Sequence, residues 1–151
     1  MTLNDKKEIK LYLENEVKQK IEILKKQIEN LTIDAQNDAK GSAGDKHETG
    51  LAMMHLEQEK LSIKLELTIM QLQNIRAINT DLNHVQVAFG SIVETDNAVF
   101  FVSDALPNFK YIQKNIFPLS VQAPVYSELK GKKAGDTFSF NGKTAQIKTV
   151  I

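Results

Sequence analysis

Val17, Ile21, Leu24, Ile28, Leu31 and Ala35 recur at alternating steps of four and three, with Lys, Glu and Gln filling most positions between them. That spacing keeps one apolar seam along an α-helix, the pattern of a coiled coil. A continuous helix from about Asp5 to Ala39 would be ~50 Å long at 1.5 Å per residue, more than a small globular core buries. Lys40-Gly41-Ser42-Ala43-Gly44 then interrupts the pattern, and a second periodic run passes through Met54, Leu61, Leu65, Ile69, Leu72 and Ile75. Two long helices joined by so short a loop fold back as an antiparallel hairpin. The competing arrangement is one unbroken helix in a parallel dimer, which the two glycines penalise by ~2 kcal/mol relative to alanine.

The pattern changes near residue 80. Asn79–His84 reads as a linker, rich in turn formers. Val85–Phe89, Ile92–Glu94 and Ala98–Val102 are strand-like, with Thr95-Asp96-Asn97 as a turn, and Asn141-Gly142 between two alternating runs is a strong hairpin signal. Pro124 starts a short helix that runs through Lys130 and is ended by Gly131. The predicted fold class is α+β: an N-terminal antiparallel α-helical coiled-coil hairpin over residues 1–79, with its tip loop near 40–48, and then a small domain over 80–151. That second domain is built on an antiparallel β-sheet with one short helix, and packing against the base of the hairpin would support so small a core.

Composition narrows the function. Lys+Arg and Asp+Glu both number 19, and Arg76 is the lone arginine. A chain with no net charge is not built to hold phosphates unaided, so no autonomous DNA binding is expected. The absence of cysteine removes disulfides, zinc-thiolate sites, iron–sulfur clusters and thiol nucleophiles, and suits a reducing compartment. The first residues lack the apolar run of a signal peptide, and no stretch approaches the ~18 apolar residues of a membrane helix, so a cytoplasmic location without membrane contact is expected.

Several familiar signatures do not survive counting. His47-Glu48 would open the zinc-protease pattern H-E-x-x-H, but Leu51 stands where the second histidine must be. Gly142-Lys143-Thr144 resembles the end of a phosphate-binding loop, yet the glycine required five residues earlier is Thr137. Asn30-Leu31-Thr32 fits a glycosylation sequon inside a predicted helix. His47, His55 and His84 have no spaced partners. What remains is Ser42-Ala43-Gly44-Asp45-Lys46-His47-Glu48. If the second helix begins there, Asp45 and Glu48 project from one side of its first turn. Ser42-x-x-Asp45 and Asp45-x-x-Glu48 are also possible capping boxes, so capping and chemistry both stay open. Oxygen donors suit Mg²⁺, but two carboxylates without phosphates or further ligands retain it poorly, so no cofactor is expected to bind stably to this chain alone. A rigid rod that carries the acids into a partner's cavity, where metal and phosphates already sit, could complete a second metal position and activate water for attack on a phosphodiester.

These residues resemble the bacterial Gre transcript-cleavage factors (GreA and GreB), whose hairpin tip has the form G-D-x-K/R-E-N. Gly44-Asp45-Lys46-His47-Glu48-Thr49 matches Gly, Asp and Glu in register. Near the other end, Ala123-Pro124-Val125-Tyr126-Ser127-Glu128-Leu129-Lys130-Gly131-Lys132-Lys133-Ala134-Gly135-Asp136 is similar to the family segment S-P-x-x-x-A-L-x-G-K-x-x-G-D. The resemblance spans nearly the whole chain. It implies an FKBP-like carboxy-terminal domain that binds RNA polymerase at the mouth of its secondary channel, and a hairpin inserted toward the active centre. Asp45 and Glu48 would then be the catalytic, metal-assisting pair, acting in trans on a Mg²⁺ shared with RNA polymerase. The chain would stimulate the intrinsic endonucleolytic activity of the polymerase rather than be an enzyme, would meet the nascent RNA 3′ end only indirectly, and would be a monomer. Thr49-Gly50-Leu51-Ala52 departs from the family's N-A-E-Y, and His47 stands where Lys or Arg is common. The alternatives are a secondary-channel regulator that does not promote cleavage and a coiled-coil interaction or chaperone-like protein. Lys40 and Lys46 are the local candidates for touching RNA, and Phe109, Tyr111, Phe117 and Tyr126 form either an exposed contact patch or core.

Overall fold

The computed structural model describes residues 1–39 and 45–151, and the side chains of all of these except residues 39 and 45–47. Two long helices, α1 (Leu3–Ala39) and α2 (Asp45–Arg76), precede strands β1 (Ile92–Thr95), β2 (Val99–Val102), β3 (Phe109–Tyr111) and β4 (Lys114–Leu119). Helix α3 (Pro124–Leu129) and strands β5 (Thr137–Phe140) and β6 (Lys143–Val150) complete the order. The architecture is α+β, with an N-terminal helical hairpin followed by a sheet and one short helix. Contacts divide the chain into two compact units: Met1–Glu14 together with Gln73–Ile151, and Asn15–Leu72. The first therefore contains the base of both helices as well as the whole sheet.

In the unit 15–72, the predicted seam of α1 faces α2. Val17, Ile21 and Leu24 are buried, and Ile28, Leu31 and Ala35 half-buried. On α2 the matching positions are Leu51, Met54, Gln58, Leu61, Leu65, Thr68 and Leu72. The antiparallel register is fixed at a polar pair, Gln58 Nε2 donating to Thr32 Oγ1 at 2.7 Å. Ile69, expected in the seam, is 37% exposed, and Thr68 takes its place at 8%. The threonine hydroxyl donates to the Lys64 carbonyl one turn back at 2.7 Å, so its polar atom is satisfied inside its own helix and its methyl is left for packing.

In the other unit, Thr2 and Asp5 form a reciprocal cap at the start of α1. The Thr2 hydroxyl accepts from the Asp5 amide at 3.2 Å, and Asp5 Oδ2 accepts from the Thr2 amide at 2.6 Å. Burial would raise the Asp5 pKa, but the hydrogen bonds from Thr2 and from the Tyr111 hydroxyl outweigh it and hold the carboxyl below its ordinary value. Lys10 Nζ donates to the carbonyls of Arg76 and Ile78 at 3.1 and 3.0 Å, which closes the carboxy-terminal end of α2.

The sheet has the order β3-β4-β2-β1-β6-β5. It is mixed, not purely antiparallel as expected, because β4 runs parallel to β2 with Val99 opposite Ile116 and Val102 opposite Leu119. After β2 the chain crosses to the sheet edge as β3 and turns back tightly, so β4 is inserted between them in the direction of β2. The β3–β4 turn went unread in the sequence because Ile112 and Gln113 supply it, at φ 44° and 62°, without glycine or asparagine. The expected Asn141-Gly142 turn has φ 51° and 73° between β5 and β6. Val85–Phe89 forms no strand, although Val87 exchanges hydrogen bonds with Lys132 and Gly131 at 2.8 and 2.9 Å.

Strand β2 lies inside the sheet and is covered on both faces, which accounts for its unbroken apolar run. Val93, Val102, Leu119, Tyr126, Leu129, Phe138 and Ile147 cluster on the α3 side, with Phe100 packed against them. Ile92, Phe101 and Ile116 are fully buried on the opposite face. The four aromatic residues singled out from the sequence do not make one patch. Phe109 stacks on Tyr12 with ring centroids 4.2 Å apart, Tyr111 donates to Asp5 and Glu8 at 2.9 and 2.7 Å, Phe117 lies 5.9 Å from Phe100, and Tyr126 is core. The hydrogen bonds to Glu8 and Asp5, with burial, raise the pKa of the Tyr111 phenol and keep it protonated.

Lys6 occupies a core position of α1 and is wholly buried. Its Nζ donates to the Leu82 carbonyl at 2.8 Å and meets His84 Nδ1 at 3.1 Å. Burial lowers the Lys6 pKa to about 8. Burial also lowers that of His84, helped by the neighbouring Lys6 charge and opposed by hydrogen bonds to the backbone of Phe89 and Ile151.

Two predictions concern this unit. The unfolded chain binds the Lys6 proton more tightly than the native state, so stability rises with pH from about 8 toward the ordinary lysine value of 10.5. The gain is on the order of 1–3 kcal/mol. Denaturant titrations at pH 7.5, 8.5 and 9.5 are expected to show this rise in the wild type and not in Lys6→Met; parallel curves for the two would refute it. At the β3–β4 turn, positive φ costs a non-glycine residue ~1 kcal/mol, so replacing Ile112-Gln113 with Asn-Gly is expected to raise the unfolding midpoint, and a lower midpoint would contradict this account.

Candidate functional site

Asp45 is the first residue of α2, and Glu48 lies in its first turn with an exposed side chain. The side chains of Asp45, Lys46 and His47 lie outside the described residues, as does the whole of the 40–44 segment with Lys40 and the candidate cap Ser42. The Asp45–Glu48 pairing and the capping alternative therefore fall outside what is described. The residues that follow are placed. Leu51 and Met54 enter the seam, Met53 points outward at 61% exposure, and Gly50 faces α1. A methyl group on Gly50 would lie 3.6 Å from Asp38 Oδ2.

Asp38 was missed in the sequence. Helix register is the signal that finds it, because antiparallel pairing of Thr32 with Gln58 brings residues near 38 opposite residues near 50. The end of α1 thus places the Asp38 carboxylate beside Gly50 in the early turns of α2. Among the described residues there is no group of three or more His, Asp or Glu side chains placed to hold a metal ion. Exposed carboxylates such as Glu48 have the right chemistry for Mg²⁺, but so small an oxygen set does not displace the ion's waters by itself.

The other charged cluster is a cleft of about 340 Å³ lined by Glu94, Asp96, Asn97, Gln113, Lys114 and Lys148, among others. Its charges already have partners. Lys114 donates to Glu94 at 2.7 Å, Lys148 meets Asp96 at 3.1 Å, and Glu94 also accepts from Thr149 at 3.0 Å and from the terminal ammonium at 3.3 Å. Burial would push the Glu94 pKa up, but these donors hold it below its ordinary value. Such a cluster fixes the hairpins that surround it and leaves no spare acid or base. Of the other histidines, His84 belongs to the Lys6 cluster and His55 is exposed.

No family model and no curated protein matches this chain. Among the described residues, no helix is long and apolar enough to cross a membrane.

The Gly50 geometry gives a prediction. A methyl at 3.6 Å from Asp38 is ordinary contact, so Gly50→Ala should add about 1 kcal/mol of helix stability. Thermal unfolding should shift up by about 2–4 °C. A lower midpoint would mean that Asp38 cannot accommodate the added carbon.

Proposed function

We propose that this chain is a bacterial, cytoplasmic transcription elongation factor of the Gre type, which binds RNA polymerase and inserts its helical hairpin into the secondary channel. The observation that carries the reading is the exposed Glu48 in the first turn of α2, in register with Gly44 and Asp45 of the tip signature. The order of the chain supports it as well, with a long hairpin followed by an α+β domain whose segment Ala123–Asp136 contains helix α3. Within that segment Asp136 Oδ2 accepts from the Lys133 amide at 2.8 Å, so the terminal K-x-x-D closes a turn at the start of β5.

The seam supplies stiffness, with Val17, Ile21, Leu24 and Leu72 buried and the Thr32–Gln58 pair preventing slippage. Asp45 and Glu48 would hold a second Mg²⁺ jointly with the polymerase, which would supply water activation for phosphodiester hydrolysis. The chain's own part is to bring these carboxylates to the metal and to exclude misplacement. A second reading, a channel-binding regulator without cleavage, is favoured by Gly50, which loosens the helix two residues beyond Glu48.

A backtracked elongation complex tests the first reading. Wild-type protein is expected to release short 3′ RNA fragments, and Asp45→Asn or Glu48→Gln to lower the release rate on the order of 10–100-fold. Equal rates for wild type and both variants would reject the assignment of the acids. Saturable polymerase binding with no RNA shortening at any Mg²⁺ concentration would select the regulator instead.

A further inference from the structure

Helix α2 carries two apolar stripes. One is the seam. The other lies two positions further along at each step, at Met53, Leu56, Ile63, Leu67 and Met70, which are 61, 53, 53, 60 and 53% exposed. Lys60 completes the spacing of three and four residues. Single exposed apolar side chains are common on protein surfaces. Five of them in one heptad register, interrupted once at Lys60, make a second coiled-coil face on which nothing packs among the described residues.

We infer that this stripe is a self-association surface, on which α2 of a second copy packs parallel and in register about a two-fold axis. Charge selects both the occupant and the direction. In heptad terms Met53, Lys60 and Leu67 occupy a positions, and Leu56, Ile63 and Met70 occupy d positions. The flanking e positions hold Glu57 and Lys64, and the g positions hold Glu59 and Glu66. Parallel pairing sets Glu59 against the partner's Lys64, twice by symmetry, and sets Glu66 against the partner's neutral Gln71. No like-charged flanking pair arises. Antiparallel pairing would gain Glu57 against the partner's Lys64 twice on one edge but bring Glu59 against the partner's Glu66 twice on the other, so only the parallel form is free of like-charged contact. A lone lysine at an a position is a device that fixes register and a two-stranded state at some cost in stability. Its stem can lie on Leu56 and Ile63 while the ammonium reaches the partner's Glu59.

Five half-exposed side chains per copy provide an apolar strip of a few hundred Å², so two copies together reach only the low end of specific interfaces, near 1,200 Å² in total. The dimer is therefore weak, with dissociation in the micromolar range. A channel that admits a single hairpin would exclude the paired form, so self-association would hold the factor in reserve. That consequence alone rests on the polymerase reading, and a test without polymerase separates the two.

Sedimentation of the full chain over a concentration series is expected to show a monomer–dimer equilibrium. Ile63→Glu should leave the protein monomeric with unchanged helix content. Glu59→Lys should weaken the dimer about tenfold, and the double variant Glu59→Lys with Lys64→Glu should restore it. Because the chain has no cysteine, orientation can be read by crosslinking. Met70→Cys should form a disulfide with itself and Met53→Cys with itself. A monomer at all concentrations up to several hundred micromolar, or crosslinking only when the two cysteine variants are mixed, would overturn the proposal.

Discussion

The packing of α1 on α2 is the constraint from which the 15–72 unit follows. Two helices alone cannot surround a side chain, so a seam residue there is walled by its own helix and one neighbour and meets water on either side. That is why Ile28, Leu31, Leu51, Met54, Leu61 and Leu65 are only half-buried; Val17, Ile21, Leu24 and Leu72, at the other end of the seam, are buried. With so little apolar area to define alignment, a single polar contact has unusual weight. The bond from Gln58 to Thr32 is met only in one register, and a slip by one heptad would leave both groups facing aliphatic neighbours.

The sheet-bearing unit is specified differently. Charged and polar side chains in the first turns of α1 find partners far away in sequence: Lys6 at Leu82 and His84, Lys7 at Asp81, Lys10 at Arg76 and Ile78, and Asp5 and Glu8 at Tyr111. Each is a directional tie that apolar packing of Ile9 and Leu13 does not provide. Lys7–Asp81 is exposed and contributes little by itself. The buried Lys6 is the costly member, retained because its amine is satisfied by a carbonyl and an imidazole.

The candidate site requires much less architecture than an enzyme pocket. An acid that completes someone else's metal centre has to be exposed, stiffly mounted and free of a competing partner, and Glu48 meets the first of these on a helix whose seam supplies the second. The same economy leaves the rest of the surface open to other uses. The outer stripe of α2 is an instance, apolar where solvent exposure alone would favour charge.

Periodicity determined a great deal about this protein. Steps of three and four located both long helices and most of their seam, and Asn141-Gly142, Pro124 and Gly131 located the last hairpin and the short helix, because each of these signals comes from a local backbone preference. Asp45 and Glu48 were legible as candidates through their spacing and through the Gre resemblance. Asp38 was not, since its place near Gly50 exists only once two helices pair. The parallel β2–β4 contact, the turn at Ile112-Gln113 and the choice of Thr68 over Ile69 were likewise decided by tertiary structure. In each of these, packing between segments far apart in sequence outweighs a local preference of a kilocalorie or so, and no window along the chain contains both partners.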